Sequence, residues 1–241
     1  MKKMTIPLLL VSSVSLAGTM GEMQAQPEYS LFVGGALGIG AYSGDYKATS
    51  PLSNGSLDIH GSKPSGNSFL GGGLLGIQKY FSNDLYAALV GNFLYNSYDT
   101  QIRLSTSATT GVTTMDVNLK NDFQYGLSVR LGKRFGTATP YFLAGVEAAK
   151  WDMSLTNDSS TSGRGILANS SSTFGQTRAG FQGGFGTLIS LNENLNFGME
   201  YAHTWFGNIS NYGNFPGQNY THKAKIEQDQ VLFSLNYLFN V

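Results

Sequence analysis

The chain has 241 residues, of which only 12% are charged and 31 are glycine, where an ordinary soluble domain carries about 25% charged residues and about 7% glycine. Fifteen basic side chains balance fifteen acidic ones, so no long-range positive field exists to gather nucleic acid. The absence of cysteine excludes disulfide frameworks, thiolate nucleophiles and cysteine-based zinc sites together.

Lys2 and Lys3 precede a moderately apolar run from Thr5 to Ala17, and small and polar residues follow up to Ala25. That order reads as a secretory signal peptide, and the run is too short for a spanning helix. Residues 1–25 are therefore expected to be removed, by cleavage after Ala25 or alternatively after Gly21, which leaves 26–241 as one exported domain. From Tyr29 onward the apolar residues recur with period two, the signature of strands with two different faces. In the first strand Tyr29, Leu31, Val33, Leu37 and Ile39 share one side, with Ser30, Gly34, Ala36, Gly38 and Gly40 largely on the other. Further strands are predicted at 68–81, 85–97, 123–135, 140–151, 174–189, 195–205 and 229–241. The stretch 123–135 is the clearest. Phe123, Tyr125, Leu127, Val129, Leu131 and Phe135 oppose Gln124, Gly126, Ser128, Arg130, Gly132 and Arg134.

The connections alternate in length along the chain. Ser82-Asn83-Asp84, 136–139 and 190–194 are tight, whereas 43–67, 98–118, 152–173 and 206–228 are long loops rich in Ser, Thr, Asn and Gly. Antiparallel strands joined in order put all short turns at one end and all long ones at the other, as in transmembrane barrels. Met115, Val117 and Leu119 continue the odd-numbered apolar face of the strand that follows them, so the second long connection reads as a hairpin beyond the bilayer with its tip near Thr110-Gly111.

An all-β, eight-stranded antiparallel up-and-down transmembrane β-barrel is the expected fold, with the oily face in lipid and the glycine-rich face lining a narrow lumen. Aromatics collect toward strand ends, at Tyr80, Phe81, Phe135, Tyr141, Trp151 and Trp205. Phe81, Phe135, Trp151 and Trp205 are expected to form the aromatic girdle. Ionised residues within the spans fall on the polar face as Arg130, Glu147, Arg178 and Glu200. Counting up from the short turns sets Arg130 and Glu200 at similar height, and they are expected to pair across the lumen. Glu147 and Arg178 are expected to form a second pair. Eight strands enclose an interior that side chains can fill, which favours a plug over an open channel.

The last strand alternates to the end, with Val231, Phe233, Leu235, Tyr237 and Phe239 on one face, and its Asn236-Tyr237-Leu238-Phe239 resembles the assembly signal of outer-membrane barrels. Together with Gly76-Ile77-Gln78, Pro140-Tyr141-Phe142-Leu143-Ala144-Gly145 and Leu195-Asn196-Phe197-Gly198-Met199-Glu200-Tyr201, the chain from 29 to 241 resembles the eight-stranded outer membrane protein A and opacity-type barrels. The resemblance implies a lumen ion-pair cluster that includes Glu200, with Arg130 as partner. It also implies a place in the bacterial outer membrane and a role as surface antigen, adhesin, wall-integrity protein or weak porin.

The remaining motifs carry little chemistry. Gly71-Gly72-Gly73-Leu74-Leu75-Gly76 matches a dinucleotide-binding pattern only formally, since no helix is predicted after it. His203 lies near Glu200 and Thr204, but alternation turns it outward and away from both, and the residue two positions on is Trp205 where a nucleophilic serine would be needed. No catalytic, cofactor-binding or metal-ligating residues are expected. Lys79, Lys133 and Lys150 sit near strand ends, where long side chains snorkel toward headgroups. In the fourth long connection Ile209, Tyr212, Phe215 and Tyr220 stand among Gly and Asn, a composition suited to adaptable contacts. The expected partners are membrane lipid and lipopolysaccharide, the assembly machinery acting on the last strand, and an extracellular or host ligand, for a monomer that binds no nucleic acid. The expected function is structural or surface-interacting; a small diffusion porin and a lipid A-modifying enzyme are the alternatives.

Overall fold

A computed structural model of the chain describes residues 29–52, 55–60, 65–108, 111–159, 171–215 and 218–240. The expected signal peptide, 1–25, lies outside the described residues. Among the described residues every regular element is a strand: β1 Tyr29–Leu52, β2 Gly55–His60, β3 Gly66–Tyr80, β4 Leu85–Ala108, β5 Gly111–Lys133, β6 Ala138–Ser159, β7 Ser171–Asn192, β8 Leu195–Phe215 and β9 Gln218–Asn240. Neighbours in sequence pair antiparallel, except that β3 bypasses the short β2 to pair with β1, and β1 pairs with β9 to close the wall. Eight strands therefore make the barrel, while β2 is a flap on the far end of β1 between Lys47 and Leu52.

Closure fixes the tilt. Following paired residues once around the wall from Glu227 leads through Trp205, Phe181, Val146, Leu127, Gly91, Leu75 and Val33 back to β9 at Tyr237, ten residues further on. Eight strands with that stagger lie about 43° from the barrel axis, so each residue climbs about 2.4 Å along it. Period-two alternation then sorts the side chains. Leu127, Val129 and Leu131 are 51%, 46% and 58% exposed on the outside, while Arg130 between them is 4% exposed in the interior.

The three tight turns fall where the sequence puts them, at 81–84, 134–137 and 193–194. Asp84, at φ 63°, accepts hydrogen bonds on Oδ1 from Arg134 Nε (3.2 Å) and Nη2 (2.9 Å), which ties two neighbouring turns together. The second long connection is the expected hairpin, closing between Ala108 and Gly111, whereas the other three differ from expectation. Strands run through most of 43–67, 98–118 and 206–228 and through half of 152–173, and β4 and β5 stay paired out to Ala108 and Gly111. An antiparallel ladder already in register extends at little entropic cost, and the 98–118 segment is rich in strand-favouring Thr.

Beyond the bilayer the wall divides. The β3–β4 ladder stops at Leu70/Asn96 and the β7–β8 ladder at Phe181/Trp205. Above those points β4 to β7 form one sheet and β8, β9, β1 and β2 another. Their inner faces meet. Tyr42, Tyr46, Phe206 and Ile226 pack with Tyr98, Ile102, Val117, Leu119, Trp151 and Met153 in one buried cluster.

Two expectations fail here for one reason, inward parity. A register shift between Asn121 and Gln124 switches the inward residues of β5 from even to odd numbers. Val117 and Leu119 are therefore fully buried inside and do not continue the outer face of Leu127. Trp151 is likewise 1% exposed in the interior and is no part of the girdle. Its distance of four residues from the buried Glu147 obliges both to face the same way.

Candidate functional site

Buried side chains line the lumen in two apolar clusters with polar groups between them. Phe32, Leu70, Leu74, Tyr80, Tyr86 and Leu238 belong to a second buried cluster, which reaches from the short turns up to the end of the β3–β4 ladder at Leu70. Within it Arg130 Nη2 lies 2.7 Å from Glu200 Oε2, with both side chains at or below 10% exposure. The register explains the meeting. Glu200 on β8 stands opposite Gly186 on β7, and Arg130 on β5 opposite Leu143 on β6, so two strands separate the partners and they span the bore. Tyr141 completes the group by donating its hydroxyl to Glu200 Oε2 at 2.9 Å, with its ring 5.1 Å from the Arg130 guanidinium. Gly186 makes room for this, since a Cβ there would come within 2.6 Å of the Tyr141 hydroxyl and 2.7 Å of the Met199 carbonyl oxygen. Sequence reading placed Tyr141 at the membrane rim. Its spacing of six residues from Glu147 was the signal that it faces inward.

Arg178 does not pair with Glu147. Glu147 stands opposite Gly180 and Arg178 opposite Ala149, one inward position nearer the long hairpins. The fully buried Glu147 carboxylate instead accepts from Asn92 Nδ2 on both oxygens, at 3.2 and 3.0 Å, and from Gln182 Nε2 at 3.4 Å. Asn92 and Glu147 are register partners on either side of Gly126, so the two side chains bridge β4 and β6 across a strand without a side chain.

A polar layer separates the two apolar clusters. Asn96 Nδ2 donates to the Tyr42 hydroxyl and, at 2.9 Å, to Gln124 Oε1, which also accepts from Gln228 Nε2 at 3.2 Å. Gln124 Nε2 donates to Gln230 Oε1 at 2.9 Å. These bonds link β1, β4, β5 and β9 through the bore.

On the outer wall Phe81, Phe135 and Trp205 are exposed. Tyr29 and Phe81 and Phe135 mark the lower ring, while Ile39, Phe69, Tyr95, Phe123, Phe181 and Trp205 mark the upper one. The axial rise sets the rings about 25 Å apart, the height of the apolar band of outer-membrane barrels. At the lower ring Lys79 Nζ donates to the Tyr29 hydroxyl and lies 4.9 Å over the Phe81 ring, and Lys133 lies 5.8 Å over Phe135. At the upper ring His203 faces outward against Trp205, its Nδ1 2.8 Å from Asp229 Oδ1, which also accepts from the Tyr201 hydroxyl at 2.6 Å. The backbones of Ile209, Tyr212, Phe215 and Tyr220 lie in the β8–β9 hairpin, where sequence expected a loop; their side chains lie outside the described residues.

Comparison with known proteins follows the same lines. Residues 8–239 match the family described as "Outer membrane protein beta-barrel domain". No curated protein matches the chain significantly. Among solved structures, the attachment invasion locus protein Ail of Yersinia pestis is 13% identical, covering 89% of this chain and 100% of its own, with a TM-score of 0.41. Neisserial surface protein A is 14% identical over 87% of this chain and 97% of its own, with a TM-score of 0.40. OprG from Pseudomonas aeruginosa is 14% identical over 91% of this chain and 100% of its own, with a TM-score of 0.48.

Proposed function

The chain belongs to the outer-membrane β-barrel family, and on that premise we propose that it is a non-conducting surface protein whose contacts are made by its long hairpins. The observation that carries this reading is that the Arg130–Glu200–Tyr141 group and the Gln124-centred layer cross the bore at different heights. Removing a buried ion pair's partner is costly, so these groups resist rearrangement into an open path. Contact work then falls to the extended hairpins. Ile209, Tyr212, Phe215 and Tyr220 are the proposed contact residues for an extracellular ligand.

A mature chain without residues 1–25, monomeric, inserted by the assembly machinery through β9, completes the proposal. The exposed Tyr237 and Phe239 flanking the buried Leu238 support β9 as the segment that machinery reads. Catalysis is not part of it. His203 and Asp229 make an acid–base pair at the outer wall, flanked on β8 by the Trp205 ring and by Tyr201, whose hydroxyl donates to Asp229; among the described residues no serine or threonine hydroxyl is hydrogen-bonded to His203. Planar-bilayer recording tests the main claim. The expected trace is flat, whereas discrete conductance steps from the purified protein would establish a porin. Altered lipid A in the mass spectrum of a deletion strain would establish an enzyme.

A further inference from the structure

Where the wall divides, three strands are left without a ladder on one side: β4 beyond Asn96, β7 beyond Phe181 and β8 beyond Trp205. Such a side is a row of N–H and C=O groups ready to take another chain, and proteins blunt it with bulges, prolines or charges. β4 carries a register shift between Tyr95 and Tyr98, and β8 one between Trp205 and Gly207, each at the point where its ladder ends. β7 carries none there. From Phe181 up to Ser171 it stays in unbroken register with β6, and that length contains no proline. Its single charge is Arg178.

Arg178 stands on the inner face, opposite the fully buried Ala149. Its Nε is buried without a hydrogen-bond partner, and among the described residues the side chain forms no ion pair, since Glu147 is held by Asn92 and Gln182. An inward charge on an edge strand rejects any added strand that would set an apolar side chain against it. A strand that brings a carboxylate to the same place is accepted. Residues directly opposite share a face with Cβ atoms about 5 Å apart, and a guanidinium takes a carboxylate through two parallel hydrogen bonds. Gly180 sets the lower limit of the open edge, because a Cβ there would fall 2.4 Å from the Trp205 carbonyl oxygen of β8. Above it, the edge from Ser171 to Ala179 is long enough for an ordinary strand. We propose that this β7 edge takes up an extended acidic segment of an extracellular protein as an added strand, with its carboxylate on Arg178. Backbone hydrogen bonds supply the affinity of such additions, and alternate side chains supply the specificity. The proposal rests on the reading that the long hairpins make this protein's contacts, and it names the chemistry of the partner.

A random library of short peptides displayed on phage, selected against the whole mature protein in phosphatidylcholine nanodiscs, tests it. Wild type is expected to enrich proline-poor, strand-favouring peptides with aspartate or glutamate at one fixed position. Against Arg178→Glu, still migrating as a folded barrel on unboiled gels, the preference at that position should invert to lysine or arginine. On wild type, an enriched peptide should slow amide exchange severalfold between Ser171 and Ala179 and leave the β8–β9 hairpin unchanged. That measurement needs no variant. Failure to enrich any peptide, enrichment without an acidic position, or an acidic preference that survives Arg178→Glu overturns the proposal. Equal protection of β7 by acetate or inorganic phosphate would mark a small-anion site and overturns it too. Protection confined to the β8–β9 hairpin overturns it while leaving contact through the hairpins standing, so the two readings fail separately.

Discussion

Arg130 shows how one residue ties sequence to architecture. Its neighbours Val129 and Leu131 face lipid, so alternation alone obliges it inward, and there it meets Glu200 from across the bore. Arg130→Ala should lower stability by about 3 to 5 kcal/mol, because it leaves a buried carboxylate with only the Tyr141 hydroxyl as partner. Urea unfolding of the reconstituted protein measures this. In a double-mutant cycle Glu200→Gln should recover part of the loss, and simple additivity would mean that the two do not couple. Gly186 is the less obvious dependency. Gly186→Ala inserts a methyl group against the Tyr141 hydroxyl and the Met199 carbonyl, and should cost about 1 to 3 kcal/mol, the usual range for overpacking.

At the scale of the strand, two irregularities decide which residues point where. The β5 shift between Asn121 and Gln124 lets one strand present Leu127 to lipid and Leu119 to the interior. Leu127→Arg should therefore cost about 2 to 4 kcal/mol, as a charge set against hydrocarbon near the bilayer middle. Equilibrium unfolding in lipid vesicles reads this, and assembly at wild-type stability would contradict the outward register of β5. The β8 shift between Trp205 and Gly207 uses a left-handed residue, Gly207 at φ 71°. A β-branched residue is strained there. Gly207→Val should cost about 1 to 3 kcal/mol and loosen the β8–β9 hairpin, seen as faster amide exchange beyond Trp205 with the lower strands unchanged.

For the whole molecule, the stagger of ten residues and the β1–β9 ladder make a wall with no free edge inside the bilayer. Such a wall satisfies every backbone group without water, which is why only helices and closed barrels span membranes. Resistance to detergent should follow. Unboiled protein is expected to migrate faster on a gel than boiled protein, and identical migration would argue against a closed cylinder.

Much of this was legible in the chain alone. Strand type, the alternation of tight and long connections, the oily outer face and the inward Arg130 and Glu200 follow from period-two chemistry, which is local and needs no partner to be read. The pairing of Glu147 was not legible, because its partner depends on the height at which β6 meets β4 and β7, and a stagger shared by all eight strands sets that height. Trp151 and Tyr141 were misplaced because aromatic residues suit both a girdle and a packed lumen, and only parity with Glu147 separates the two. Leu119 lay beyond reach for a related reason: a single shift in β5 reverses the face of everything past it, and shifts arise from how neighbouring strands fit together. Sequence thus determined which residues dislike water, and the closed ladder decided whether lipid or the lumen relieves them.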